Sequence, residues 1–250
     1  MIARRLHQLA KALRLLPNAA FRRGLMHGVG AAIEHRRQIA ALDLATIVDV
    51  GANVGQFTLL ATALFPHARV IAFEPLAGPA SRFGRLFAGN SRITLHRAAL
   101  GPADATASMH VSRAADSSSL LPIGGLQAEL FPGTEEVGTE QVTVAPLDRF
   151  VAAADIVAPA LLKIDVQGYE LEVLRGAAPL LDRFAWIYVE ASFQRLYEGQ
   201  ALAGEVAEFL GRHGFVESGR YNLARDAGGR EVQADFLYGR AGGANPARPA

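Results

Sequence analysis

The 250-residue sequence contains no cysteine. That excludes a disulfide framework, a thiolate zinc site and a cysteine nucleophile, and leaves the compartment open. Lysine is nearly absent: Lys11 and Lys163 are the only two. With the abundant alanine, the arginine excess reads as a coding bias, but it singles out Lys163. An excess of charge of either sign is missing too. The formal net charge is +1, too balanced to argue for nucleic acid. No run is long and apolar enough to span a bilayer. The opening MIARRLHQLAKALRLLPNAAFRR is basic, but Arg and Lys interrupt its apolar residues, so it lacks the core of a secretory signal. The expectation is a cytoplasmic chain.

Half of the residues are hydrophobic, enough to bury a large core in one α/β domain with additions. Residues 2–16 place Leu6, Leu9, Leu13 and Leu16 at helical spacing, and no acid precedes Glu34. Such a basic helix suits a membrane surface or a docking partner. Pro17 ends it early and leaves little anchoring area, which favours a leading helix packed on the domain. The expected organisation is an N-terminal basic helical extension over 1–42, a main domain over 43–240 and a disordered tail over 241–250.

Strands and helices alternate from Thr46. TIVDV, ARVIAFEP and RITLHRAAL read as strands, with FTLLATALF and GPASRFGRLFAGN as helices between them, the repeat of a doubly wound parallel sheet. TASMHVS and EQVTVAPL read as a hairpin-like excursion around a long, mobile loop at 113–138, rich in Ser, Gly and Pro. LDRFVAAA reads as a short helix capped by Asp148. ALLKIDV and AWIYVEAS are further strands, GYELEVLRGAAPLL and LAGEVAEFLGRHG further helices, and FVESG with ADFLYGR an antiparallel pair at the sheet edge.

Asp49, Gly51, Asn53 and Gly55 sit where the first strand hands over to the first helix. Small residues let the backbone approach a ligand, and the helix start offers unpaired N–H groups. A dinucleotide fingerprint needs G-x-G-x-x-G, but Asn53 and Gln56 occupy its second and third glycine positions. A pyrophosphate is poorly seated there. Asp49 repels phosphate and suits a cation, which favours S-adenosylmethionine, a sulfonium without phosphate. Glu74 lies 19 residues after Gly55, about the spacing at which an acid grips ribose hydroxyls. It fits adenosine in either cofactor. The bland alternative is a surface cap next to Pro75.

VDVGANVGQFTLLA, VIAFEP and LLKIDVQGYELEVLRGA, in that order between Thr46 and Ala191, resemble the FkbM family of S-adenosylmethionine-dependent methyltransferases. The resemblance implies a Rossmann-like class I methyltransferase fold, a seven-stranded, mostly parallel sheet with an antiparallel last strand. It also implies O-methylation of hydroxyls on sugars, glycans or natural products. By the resemblance, Asp49, Gly51, Asn53 and Gly55 line the methionine end of the donor, Glu74 takes the ribose hydroxyls, and Ala98 and Ala99 lie near the adenine. Ser117, Ser118 and Ser119, plain loop residues by composition, become candidates to bind a polyol acceptor. The family usually has Glu where Gln167 stands in IDVQG.

KIDVQGYE puts Lys163, Asp165, Gln167 and Glu170 at a strand's carboxyl end, where open α/β sheets bind ligands. Asp165 is the leading candidate to orient or deprotonate a hydroxyl, and Glu190 the second. The structural alternatives are that Asp165 caps the following helix and that Glu190 pairs with Arg195. Lys163 reads as support for a carboxylate of the site. His96 and His110 are further candidate bases. No metal-ligand spacing is recognisable. The competing functions are an NAD(P)-dependent oxidoreductase, which lacks its fingerprint and a Tyr-x-x-x-Lys pair, and a non-catalytic scaffold docking through its basic helix.

Overall fold

The computed structural model describes residues 18–242; the expected leading helix at 2–16 and most of the expected tail lie outside them. Seven strands form one sheet in the order β3-β2-β1-β7-β8-β10-β9. They are β1 (Thr46–Val50), β2 (Arg69–Phe73), β3 (Ile93–His96), β7 (Ala160–Ile164), β8 (Trp186–Ser192), β9 (Phe215–Arg225) and β10 (Glu231–Arg240). The first five named are mutually parallel, and the last strand among the described residues, β10, runs antiparallel between β8 and β9. This is the expected class I methyltransferase sheet, with β9 and β10 as the antiparallel edge pair.

The helices are α1 (Ala19–Met26), α2 (Arg36–Ile39), α3 (Gln56–Leu64), α4 (Ala77–Leu86), α5 (Gly125–Leu130), α6 (Glu170–Ala177) and α7 (Ala203–Arg212). Asn18 caps α1 by accepting from the N–H groups of Ala20 and Phe21. Gly24 lets α1 lie against Leu59 of α3, since a β-carbon there would run into that side chain. Phe21, Val29, Ile39 and Leu42 share one core cluster with Ile47, Leu60, Leu161 and Tyr188, so the segment before residue 43 packs as part of the same body. The opposite face of the sheet buries Val48, Val50, Ile71, Leu162, Ile164 and Val189 with residues of α6 and α7. Side chains alternate across a strand, so these two lists follow from a period of two along β1, β7 and β8.

Three expectations differ from the structure. RITLHRAAL does not stay in one strand: β3 ends at His96, and β4 (Ala99–Leu100) joins a second sheet with β5 (Ala105–Ser112) and β6 (Glu136–Ala145), in the order β4-β6-β5. LDRFVAAA forms only 3₁₀ turns at Leu147–Arg149 and Ala153–Asp155, and Asp148 caps nothing. Residues 113–138 are not an open loop. They carry α5, and Leu121, Ile123, Leu126, Leu130 and Phe131 pack on Leu196, Tyr197 and Val232. Among the described residues no helix is long and apolar enough to cross a membrane.

Candidate active site

The sheet order reverses between β1 and β7, since β1 continues to β2 on one side and the chain later returns to its other side. Crevices open outside the carboxyl ends of strands at such a point. Gly51 and Asp165 follow these two strands directly. Gly51 has φ +77°, and a β-carbon there would overlap the carbonyl of Asp165. Glycine is required at this position by the close approach of two backbones as well as by the turn.

Two adjoining clefts share this rim. The first holds about 540 Å³ of non-protein space, part of it open to solvent. Gly51, Asn53, Glu74, Ala98, Ala99, Ser118 and Asp165 line it, together with the apolar side chains of Leu76, Met109 and Leu120. The second is larger, about 1250 Å³, and is bordered by His35, Gln56, Phe57, Lys163 and Asp165, with Gly51 and Asn53 in common.

Glu74 is buried at 5% exposure and is no surface cap. One carboxylate oxygen accepts from the N–H of Asn53 at 2.9 Å, the other from the N–H of Leu76 at 2.8 Å. Burial nonetheless outweighs these bonds and pushes its pKa up from 4.5 to about 7. Each oxygen keeps a further lone pair for a ligand hydroxyl. Asn53 holds a left-handed conformation, φ 48°, and its Oδ1 is buried with no hydrogen-bond partner among the described residues.

The polar row on one sheet face follows from register. Asp49 pairs with Lys163, and Lys163 with Tyr188, so their side chains point to the same side. Two residues further along each strand, Asp165 and Glu190 repeat that direction. Asp49 is completely buried: Oδ2 accepts from Thr58 Oγ1 at 2.7 Å, and Oδ1 lies 3.3 Å from Lys163 Nζ. It does not reach either cleft. Its charge is neutralised by Lys163. Lys163 Nζ also lies 3.6 Å from Asp165 Oδ2 and donates to the carbonyl of Gly51 at 3.3 Å. Burial would lower the lysine pKa, but the carboxylates of Asp49 and Asp165 win and hold it above the ordinary value.

Gln167 joins the two candidate catalytic carboxylates. Its Nε2 donates to Asp165 Oδ1 and to Glu190 Oε2, both at 2.8 Å. Its Oε1 lies 2.9 Å from the Tyr197 hydroxyl. Glu190 is further held by Gln233 at 3.0 Å and borders neither cleft; burial and the nearby carboxylates of Asp165 and Asp235 push its pKa well up. Arg195 does not pair with it and donates instead to the carbonyl of Gln200. Asp165 does not cap α6 either. Glu170 closes that turn by accepting from the N–H groups of Val166 and Gly168.

The remaining predicted residues separate. Gly55 lies off the cleft, in a left-handed turn at φ +95° that starts α3 against Phe83 and Phe87. Ser118 borders the first cleft while its hydroxyl accepts from the N–H of Ser112. Ser119 is buried and accepts from Leu121, and Ser117 offers its carbonyl to Tyr197. His96 stacks on Phe73 at 5.1 Å, and His110 pairs with Glu136 at 2.8 Å; neither borders the two clefts. The reading by sequence missed Asp116, Tyr169 and Gln56 on the cleft walls, and His35. Asp116 stands next to the named serines and was within reach of the same reasoning. His35 lay in a segment with no motif.

Residues 49–217 match the model of the FkbM methyltransferase domain. The chain belongs to the FkbM methyltransferase family. It is a methyltransferase, and the oxidoreductase alternative falls. The chain is 29% identical to Methyltransferase 1 of Beauveria bassiana over 193 residues, covering 70% of this chain and 73% of that protein. It is 26% identical to the 2-O-methyltransferase NoeI of Sinorhizobium fredii over 203 residues, covering 76% and 82%. It is 30% identical to the 31-O-demethyl-FK506 methyltransferase FkbM of Streptomyces tacrolimicus over 192 residues, covering 68% and 72%. The match of this methyltransferase to its family stops short of His35 and of β10.

Proposed function

We propose that this methyltransferase uses S-adenosylmethionine to methylate a hydroxyl of a sugar, a glycan intermediate or a small secondary metabolite in the cytoplasm. The donor supplies an electrophilic methyl group on a sulfonium. The observation that carries the reading is the unpartnered Asn53 Oδ1 on the rim shared by the two clefts. A buried acceptor left without a donor costs about 1–3 kcal/mol, and an ammonium group answers it. Glu74 has spare lone pairs for the ribose hydroxyls, and Ala98, Ala99, Met109 and Leu120 make an apolar slot suited to adenine.

Asp165 borders both clefts. We assign it to receiving and aligning the acceptor hydroxyl, since methyl transfer depends on holding the attacking oxygen close and in line. Lys163 and Gln167 hold that carboxylate in place, and Glu190 anchors Gln167 from behind. Two relatives whose names specify hydroxyl methylation support oxygen as the acceptor atom.

Calorimetry with S-adenosylhomocysteine and with NADPH tests the donor. Radiolabelled S-adenosylmethionine, offered with p-nitrophenyl glycosides of neutral and uronic sugars, tests the acceptor. The expected result is binding of the homocysteine nucleoside alone and label on a glycoside. Binding of NADPH in its place defeats the reading. Donor binding with no transfer to any hydroxyl favours the scaffold alternative.

A further inference from the structure

The second cleft has a histidine with a buried acid behind it. His35 ends the 3₁₀ turn Ile33–His35, and its side chain is 18% exposed. Nδ1 lies 3.2 Å from Asp235 Oδ2 and 2.9 Å from the Tyr188 hydroxyl. Tyr188 donates to Asp235 at 3.0 Å, and Asn222 donates to the same oxygen at 2.6 Å. Phe57 and Tyr188 pack edge-on against the ring at 5.9 and 5.6 Å and fix its plane.

These contacts determine the tautomer. Burial would raise the Asp235 pKa, but the bonds from His35, Asn222 and Tyr188 prevail and hold it below the ordinary carboxylate value. Burial, with Asp235 beside it, pushes the Tyr188 phenol far up, so Tyr188 keeps its proton and gives it to Asp235. The two nearest neighbours therefore present oxygen acceptors to Nδ1, and the only donor beside it, the Asn222 amide, is farther away at 3.4 Å, so Nδ1 carries the ring proton. Nε2 is left with its lone pair, and no protein group bonds to it among the described residues. The ring borders the cleft that Asp165 and Lys163 also border. The charged and titratable groups around it are Glu34 on its own turn, Asp116 from the loop after β5, Lys163 and Asp165 from the end of β7, Tyr188 and Glu190 of β8, and Asp235 of β10. His35 and Asp235 lie outside residues 49–217, so the family match does not carry this pair.

We propose that His35 is the catalytic base of the reaction and that Asp235 is its positioning residue; the proposal rests on the acceptor being a hydroxyl. The acceptor oxygen forms its bond to the methyl carbon as the carbon–sulfur bond breaks, with that electron pair staying on sulfur. The hydroxyl proton passes to His35 Nε2. The imidazolium charge is balanced by Asp235, while Asp165 keeps the oxygen aligned. Imidazole is suited to this work because its proton affinity lies near neutral pH.

The test uses the full chain, S-adenosylmethionine and a glycoside that the wild type methylates. His35→Ala and His35→Gln are expected to lower kcat by about 10²–10⁴-fold. S-adenosylhomocysteine affinity, acceptor KM and melting temperature are expected to stay near wild type, and added imidazole to restore part of the His35→Ala rate. Asp235→Asn keeps an oxygen acceptor for Tyr188, Asn222 and Nδ1 but removes the charge that balances the imidazolium, so a smaller loss of kcat is expected, with the acidic limb of the pH–rate profile displaced. Retained kcat in the His35 variants, or donor affinity falling in step with turnover and no rescue by imidazole, overturns the proposal while the O-methyltransferase reading stands. A wild type that binds donor and methylates no hydroxyl removes both.

Discussion

The ammonium of Lys163 lies 3.3 Å from Oδ1 of the fully buried Asp49. Among the described residues nothing else is bonded to that oxygen. A buried charge that loses its partner is costly, about 3–5 kcal/mol, because its desolvation is no longer repaid. Lys163→Met is therefore expected to lower unfolding free energy by about that amount, read from the midpoint of urea denaturation. Adding Asp49→Asn to Lys163→Met should recover part of the loss. If the double variant is no more stable than the single one, the pair is not the source.

Glu74 gives a pH dependence of defined sign. Its pKa in the folded chain is about 7, against an ordinary 4.5. Between those values the folded state holds a proton that the unfolded chain has released. Stability from this group is thus full at low pH and is lost as pH rises through about 7, by up to ~3 kcal/mol. Glu170, also raised to about 7, contributes in the same direction. Glu190, also pushed well up, acts in the same sense. Glu74→Gln removes one of these three contributions, so its stability should fall less steeply than wild type between pH 5 and pH 7.5 in parallel denaturant titrations. Identical slopes would refute this assignment.

Gln167 occupies the space between Asp165 and Glu190 with an amide that donates to both. Gln167→Glu replaces the donor with a third carboxylate. Like charges at this distance cannot all ionise freely, so the variant is expected to lose several °C in melting temperature at pH 8. The loss should shrink at pH 6, where the introduced acid takes up a proton, and in millimolar MgCl₂ or MnCl₂. Wild type should show no comparable response to the metal. Equal melting of the variant at both pH values, with and without metal, would contradict the prediction.

Gly51→Ala places a methyl group against the Asp165 carbonyl in a backbone conformation that side chains rarely adopt. The expected result is loss of S-adenosylhomocysteine binding in calorimetry together with lower stability, since the clash separates β1 from β7. Gly84 in α4 is the control: nothing lies within 4 Å of a β-carbon there. Gly84→Ala should gain about 0.5–1 kcal/mol from helix propensity and leave binding unchanged.

The period of two along TIVDV, ALLKI and IYVEA was enough to put Asp49, Lys163, Asp165 and Glu190 on one face, and the glycine turn placed that face at a ligand crevice. These features are local: each rests on the stereochemistry of a few neighbouring residues. Composition was a poorer guide over 113–138, where the chain looks like loop. Its apolar residues find their partners only on Leu196, Tyr197 and Val232, far along the chain. The break after His96 has no local signature for the same reason, because Ala99–Leu100 joins a strand that begins at residue 136.

The sequence by itself determined the sheet, the switch point and the cleft lined by Gly51, Asn53 and Glu74, because strand alternation and turn geometry are written in short-range pattern. Only the tertiary structure decided which polar groups meet. It withdrew Asp49 behind Lys163, set Gln167 between two carboxylates and brought His35 against Asp235, 200 positions away. No spacing rule carries such a pair, since the contact is made when the N-terminal segment folds over the face of β8 and β10 and not by any bond along the chain.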